Sequence, residues 1–278
     1  MAGNFRSVAA GNKYAYLGFY DTEGRFIGGN TSAPSAGAAG SGMYRILGIK
    51  SAPVVVPEND TQQSTGDDDL LADFAFASIT SRAFQIEVAM QDLTLEQRLI
   101  GKSVETIAGG YMGYMDITDA PEKDACLIFQ SRAKSQDDVS AGRKGWTGTL
   151  IPLATAQPLG RSGFDERGVA TWRYSITPQL SAYSPWGVTF LDDSGVPFKA
   201  RYRPFSFPYP VTMHAHLGAG EPLSFVLDQA PISVAYTAAY LNRVAQTLTS
   251  IDATARTMTP TATVGSNQYL TTFYQFNG

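Results

Sequence analysis

Apolar and polar residues alternate with period two along much of the chain, the pattern of strands that bury one face. Phe84, Ile86, Val88 and Met90 are apolar, with Gln85 and Glu87 between them. In Trp172–Ala182 every even position is apolar or Pro and every odd position is polar. Pro178 has no N–H for a ladder, so that strand lies at an edge or breaks there. The run Phe198–Arg203 sets Lys199, Arg201 and Arg203 on one face and Phe198, Ala200 and Tyr202 on the other. Phe205, Phe207, Tyr209, Val211, Met213, Ala215 and Leu217 then hold alternate positions, with Pro204, Pro208 and Pro210 among them. That stretch is predicted to be extended, as an edge or as an arm laid on a neighbour.

Turn signals separate these strands. Asp21–Gly24 joins Tyr14–Tyr20 to Arg25–Ile27, and Asp192–Gly195 joins Val188–Leu191 to Val196–Tyr202, both as short hairpin loops. Two longer stretches lack periodicity: Gly28–Gly42, mostly Gly, Ala and Ser, and Pro57–Asp69, polar and acidic. Composition makes the first a flexible segment, and loops of this length are functional or mobile. Two helices are expected. Thr94 with Gln97 reads as a capping box for Thr94–Ile100, with Leu95 and Leu99 on one packing face and Gly101 at the end. Tyr240, Leu241, Val244 and Leu248 fall at helical spacing in Ala238–Thr249, and Gln268–Phe276 is a last strand. The predicted fold is mainly β: an antiparallel β-sandwich or barrel subunit over residues 1–219, with long arms at 28–42 and 57–69 and one short packing helix. Residues 220–278 form a C-terminal helical elaboration, helix about 238–249 plus the terminal strand, within the same domain or apart from it.

Composition narrows the class. Of 278 residues, 17% are charged, against about 25% in an ordinary soluble protein. Aromatics make up 12%, and the formal net charge is -4. So many aromatics exclude a disordered chain, and a single cysteine excludes a disulfide scaffold. The N-terminal residues carry no apolar run of a secretory signal. No stretch approaches 18 apolar residues, so no membrane association is expected. A mildly acidic chain is not a general nucleic-acid binder.

The chemical inventory is sparse. Cys126, in the apolar run Ala125–Phe129, reads as a small core residue. The two histidines, His214 and His216, share a face opposite Met213 and Ala215 and lack further ligands for zinc. They read as surface or interface residues. No nucleophile elbow, CxxC, HExxH or phosphate loop occurs, so no catalytic residue, metal or cofactor is expected and the chain is read as non-enzymatic. The cluster Asp67, Asp68 and Asp69 lacks the spacing of a calcium loop and reads as a solvated or partner-facing acidic loop. The basic face of Lys199, Arg201 and Arg203 is either a charged edge that resists aggregation or a match for the acidic 58–69 loop of another subunit, with Glu58 and Asp60.

One block carries a resemblance. Gly66-Asp-Asp-Asp69 is an acidic turn, followed by a strand with Phe74 and Phe76. Phe84–Ala89 then runs into Asp92-Leu-Thr-Leu95, and Leu99-Ile-Gly101 closes the helix. Ala125–Ala133 and Trp172–Ala182 suit the same outline. This block resembles the tail tube (major tail) proteins of long-tailed bacteriophages. The resemblance implies a β-sandwich subunit with a flanking helix, assembled into hexameric rings that stack into a tube in the virion. Its partners would be copies of itself, other tail proteins and DNA passing through the lumen without specific binding, after synthesis in the host cytoplasm. Arms at 28–42 and 57–69 would bridge subunits or rings. Gln85, Glu87, Ser175, Thr177 and Gln179 would be lumen candidates, and Leu95 and Leu99 would pack the helix on a sheet. Another virion protein, such as a capsid decoration or fibre-base subunit, is a second reading. A carbohydrate-active β-sandwich is a third, resting on exposed aromatics and distant carboxylates. An outer-membrane barrel is disfavoured by the missing signal and the charged positions near Lys199–Arg203.

Overall fold

The structure is a computed structural model that describes residues 7–9, 14–51, 60–66, 69–76, 83–89, 92–100, 105–107, 110–112, 123–135, 145–161, 171–220 and 224–277. Among these, a ten-stranded antiparallel sheet dominates. Its main path runs Phe26–Gly28, Tyr14–Tyr20, Asp124–Ser135, Gly145–Arg161, Trp172–Pro178, Phe84–Val88 and Ile49–Ser51. Ser7–Ala9, Tyr44–Ile46 and Arg203–Phe207 pair onto its central strands. The predicted alternation is realised directly: Phe84, Ile86 and Val88 are buried, as are Tyr174 and Ile176. The strand Trp172–Pro178 breaks at its proline while lying between two neighbours, so it is interior to the sheet. The Asp21–Gly24 turn forms the expected hairpin, with Tyr20 paired to Phe26.

Strand Tyr14–Tyr20 is apolar at both parities because both its faces are covered. Ala15, Leu17 and Phe19 join one core with Leu127, Ile86 and the helix residues Leu95 and Leu99. Tyr14 and Tyr16 join the other, with Ile128, Met213 and Ala215. That second core lies against a five-stranded sheet, ordered Val244–Gln246, Thr237–Leu241, Tyr269–Gln275, Val211–Leu217 and Ser41–Gly42. The layers are thus helix, large sheet and smaller sheet. A three-stranded sheet (Phe225–Val226, Leu248–Asp252, Thr257–Pro260) sets Phe225 against His216 and Met258 against Thr272, on the far face of the smaller sheet.

Several expectations are corrected. The proline-laced run is two strands, Arg203–Phe207 in the large sheet and Val211–Leu217 in the smaller one, and Pro208–Pro210 carries the chain between sheets. Val211–Leu217 is an interior strand, buried on both faces, and not an arm. Residues 198–202 form no regular strand; Ala200 bridges Ser181, and Arg203 begins the strand. The C-terminal helix is absent. Thr237–Leu241 and Val244–Gln246 form a hairpin whose turn residues Asn242 and Arg243 have φ of 48° and 73°. A two-residue turn with both φ positive fits the twist of paired strands and stops a helix. Five residues of Thr237–Leu241 pair with Tyr269–Gln275, and this ladder outweighs the 3/4 spacing of the apolar residues. Strands from beyond residue 220 therefore share a sheet with Val211–Leu217 and Ser41–Gly42.

Candidate functional site

The second core covers only part of one face of the large sheet. Beyond it, that face is formed by the outward positions of Phe84–Val88, Trp172–Pro178 and the end of Gly145–Arg161. Gln85 lies directly across from Ser175, and Glu87 across from Arg173. On the other side Ser175 pairs with Gln157, and Thr177 with Thr155. Paired residues share a face, so four lumen candidates, Gln85, Glu87, Ser175 and Thr177, stand together. Gln85 and Gln157 are exposed; Glu87, Arg173, Ser175 and Thr177 are half-buried. The Gln179 N–H donates to the Leu153 carbonyl at 2.8 Å just past the strand end. Arg173, Gln157 and Thr155 complete this face although the sequence reading did not single them out; the period-two pattern that marked Ser175 also marks Arg173. Glu87 and Arg173 offset each other in charge, leaving a polar surface without an excess of cations.

The opposite side of the same strands is held by the helix Leu93–Ile100. Leu95 and Leu99 are buried, as their spacing implies. The cap is Asp92 and not Thr94: its Oδ1 accepts the Leu95 N–H at 3.0 Å and its carbonyl accepts the Glu96 N–H at 3.0 Å. Its Oδ2 accepts the Tyr44 hydroxyl at 2.5 Å, tying the helix start to the sheet. Burial and this hydrogen bond hold the Tyr44 hydroxyl above the usual tyrosine range. The Arg98 guanidinium lies 4.3 Å from the Tyr44 ring and donates to the Gly29 carbonyl at 2.6 Å.

The interface candidates fare differently. Glu58, Asp67 and Asp68 lie outside the described residues, as does Gly101. The polar stretch expected as a loop is in part strand: Asp60–Gly66 pairs with Asp69–Phe76 as an antiparallel hairpin, with Gly66 opposite Asp69. Lys199 and Arg203 are exposed and Arg201 is half-buried. Arg203 sits 4.6 Å over the Phe190 ring. Leu180, Tyr183, Leu191, Val196 and Phe198, in the preceding turns, are exposed apolar residues.

The Gly-rich segment is not free. Ala36 bridges Leu217, the Gly37 N–H donates to the Leu217 carbonyl, and Ser41–Gly42 pairs with Ala215 and His214. It covers the histidines, which are 1% and 0% exposed and so are not surface residues. Their rings stack with centroids 4.5 Å apart and an interplanar angle of 22°. His214 Nε2 donates to Asp228 Oδ1 at 3.2 Å, since a carboxylate only accepts. His214 Nδ1 and both nitrogens of His216 have no hydrogen-bond partner. Among the described residues no group of three or more His, Cys, Asp or Glu could hold a metal ion. Cys126 is fully buried, the small core residue expected, and burial pushes its thiol up to about 12.

A cleft of about 220 Å³ opens between the Asp21–Arg25 turn and the second sheet, lined by Trp186, Tyr240 and Tyr269 among others. Its aromatic and charged groups are engaged with one another: Trp186 stacks on Tyr240, Arg25 covers Tyr269 at 4.2 Å, and Arg25 pairs with Asp21 and Glu23. Of its lining residues only Glu23 carries a carboxyl group, whereas glycoside hydrolysis ordinarily uses two. Among the described residues no helix is long and apolar enough to cross a membrane. Compared with known proteins, the chain matches no protein-family model and no curated protein.

Proposed function

We propose that this chain is a structural subunit that assembles with copies of itself into stacked rings, forming the tail tube of a long-tailed bacteriophage. The observation that carries the reading is the polar half-face of the large sheet beyond the second core, where Gln85, Glu87, Ser175 and Thr177 stand together and Arg173 offsets Glu87. As a conduit wall it hydrates readily but presents no row of cations. A passing DNA backbone then has few contacts for which to exchange its counterions. The Asp60–Phe76 hairpin, which pairs with no other strand among the described residues, leaves backbone edges that a neighbouring copy can take up. Exposed Leu180, Tyr183, Leu191, Val196 and Phe198 suit burial between subunits. On this reading Lys199, Arg201 and Arg203 of one copy meet Glu58, Asp60, Asp67, Asp68 and Asp69 of the next, and the protein resides in the virion.

The reading is tested by thiol labelling of a Ser175→Cys variant, for which the buried Cys126 gives a silent background. A bulky maleimide that cannot enter the tube should label the monomer rapidly and the assembled particle at least tenfold more slowly. Equal labelling rates in the two states contradict a luminal position for this face.

A further inference from the structure

The stacked pair His214 and His216 is, we infer, an acid-sensitive clasp: while the His216 ring is neutral the Gly-rich segment 36–42 stays bound to the smaller sheet, and protonation of that ring releases it. First, the segment touches the rings directly. A Cβ on Gly40 would run into His216 Nδ1 and the Ala215 carbonyl, and one on Gly42 would run into Asp228 Oδ2. Segment and imidazoles therefore have no slack between them.

Second, the His216 ring is poorly provided for as a cation. His214 gives its Nε2–H to Asp228 and stacks on His216 from one side. His216 has no partner at either nitrogen and lies against Phe225, with centroids 4.8 Å apart. Two charged rings at this stacking distance would also repel each other.

Third, the surroundings offer little compensation. Segment 36–42 contains no titratable side chain. On the 225–230 stretch Asp228 is the acid that faces the pair, and it sits at the outer nitrogen of His214. Arg256 donates to the Asp228 carbonyl at 3.0 Å and adds a positive charge nearby. From Tyr269–Gln275 the Tyr274 hydroxyl accepts the Gln229 N–H and is neutral, and Tyr16 of the large sheet is neutral too. Burial, with His214 second, holds the His216 ring well below the ordinary histidine range. The closed form thus excludes a proton that the open form accepts. Closure is complete above the ordinary histidine pKa of about 6.5 and weakens as pH falls below it.

Hydrogen exchange of the full chain, corrected for intrinsic rates, tests this between pH 8 and pH 5. Peptides covering 36–42 and 211–217 should lose protection below about pH 6.5, by up to about tenfold per pH unit for each proton taken up. Peptides covering 124–130 should not change, and a His216→Phe variant, which keeps a stacked ring, should be flat over the same range. Even protection of 36–42 down to pH 5, or an unchanged pH response in the variant, overturns the clasp. Should His216→Phe fail to fold, imidazole NMR on the wild type decides, because the chain has two histidines. A His216 ring that stays neutral until the segment opens supports the clasp, and a His216 ring titrating freely near 6.5 overturns it.

Discussion

At Gly40 the absence of a side chain is a packing requirement, because a Cβ there would run into His216 Nδ1 and the Ala215 carbonyl. Gly40→Ala should therefore destabilise the fold by roughly 1–3 kcal/mol, the usual cost of overpacking a filled site. Urea denaturation measures it, and a change below 0.5 kcal/mol would mean the contact has room to give. Cys126 gives a second test at this scale. Its thiol, pushed up to about 12 by burial, should resist iodoacetamide at pH 8 in the folded protein and react fully once unfolded, since the thiolate is the nucleophile. Asp92 is a third. Asp92→Ala removes the Leu95 cap and the Tyr44 hydrogen bond together, so its cost should exceed the roughly 1 kcal/mol of an ordinary cap.

Among elements, the turn at Asn242 and Arg243 separates hairpin from helix most cleanly. Arg243→Gly places Asn-Gly, the favoured pair for two positive φ values, at the turn and should raise the melting temperature. In a helix the same change would lower stability by about 1 kcal/mol, so the sign of the shift is the readout. The strands around Phe84–Val88 and Trp172–Pro178 were legible in the sequence because one face of each is polar, which gives a clean alternation. Val211–Leu217 and Thr237–Leu241 are interior strands of the smaller sheet. In Val211–Leu217 the alternation still named an extended element, whereas in Thr237–Leu241 the pattern of apolar residues did not, and Asn242 was the local sign of a turn. The Gly-rich segment misled for a related reason: small residues signal either freedom or close contact, and only the histidines beneath it decide which. The helix was legible through Leu95 and Leu99, whereas its cap was not, because Asp92 and Thr94 are both good capping residues and the choice depends on Tyr44.

For the whole molecule, the layering explains where the charges are missing. The large sheet is buried on both faces where it meets the smaller sheet and the helix, and its remaining half-face is polar with offset charges. Apolar residues left outside, Leu191 at 54% and Val196 at 56% exposed, sit in the turns before Arg203. A subunit whose neighbours are copies of itself accounts for both features, since obligate interfaces are poor in charge. Replacing Asp67, Asp68 and Asp69 together by Ala should then shorten or abolish assembled particles while circular dichroism of the monomer is unchanged. The central claim is assembly, and negative-stain electron microscopy of the purified chain at high concentration tests it most directly. Rings or stacked tubes with a central channel are the predicted result, and a strictly monomeric field at every concentration would contradict it.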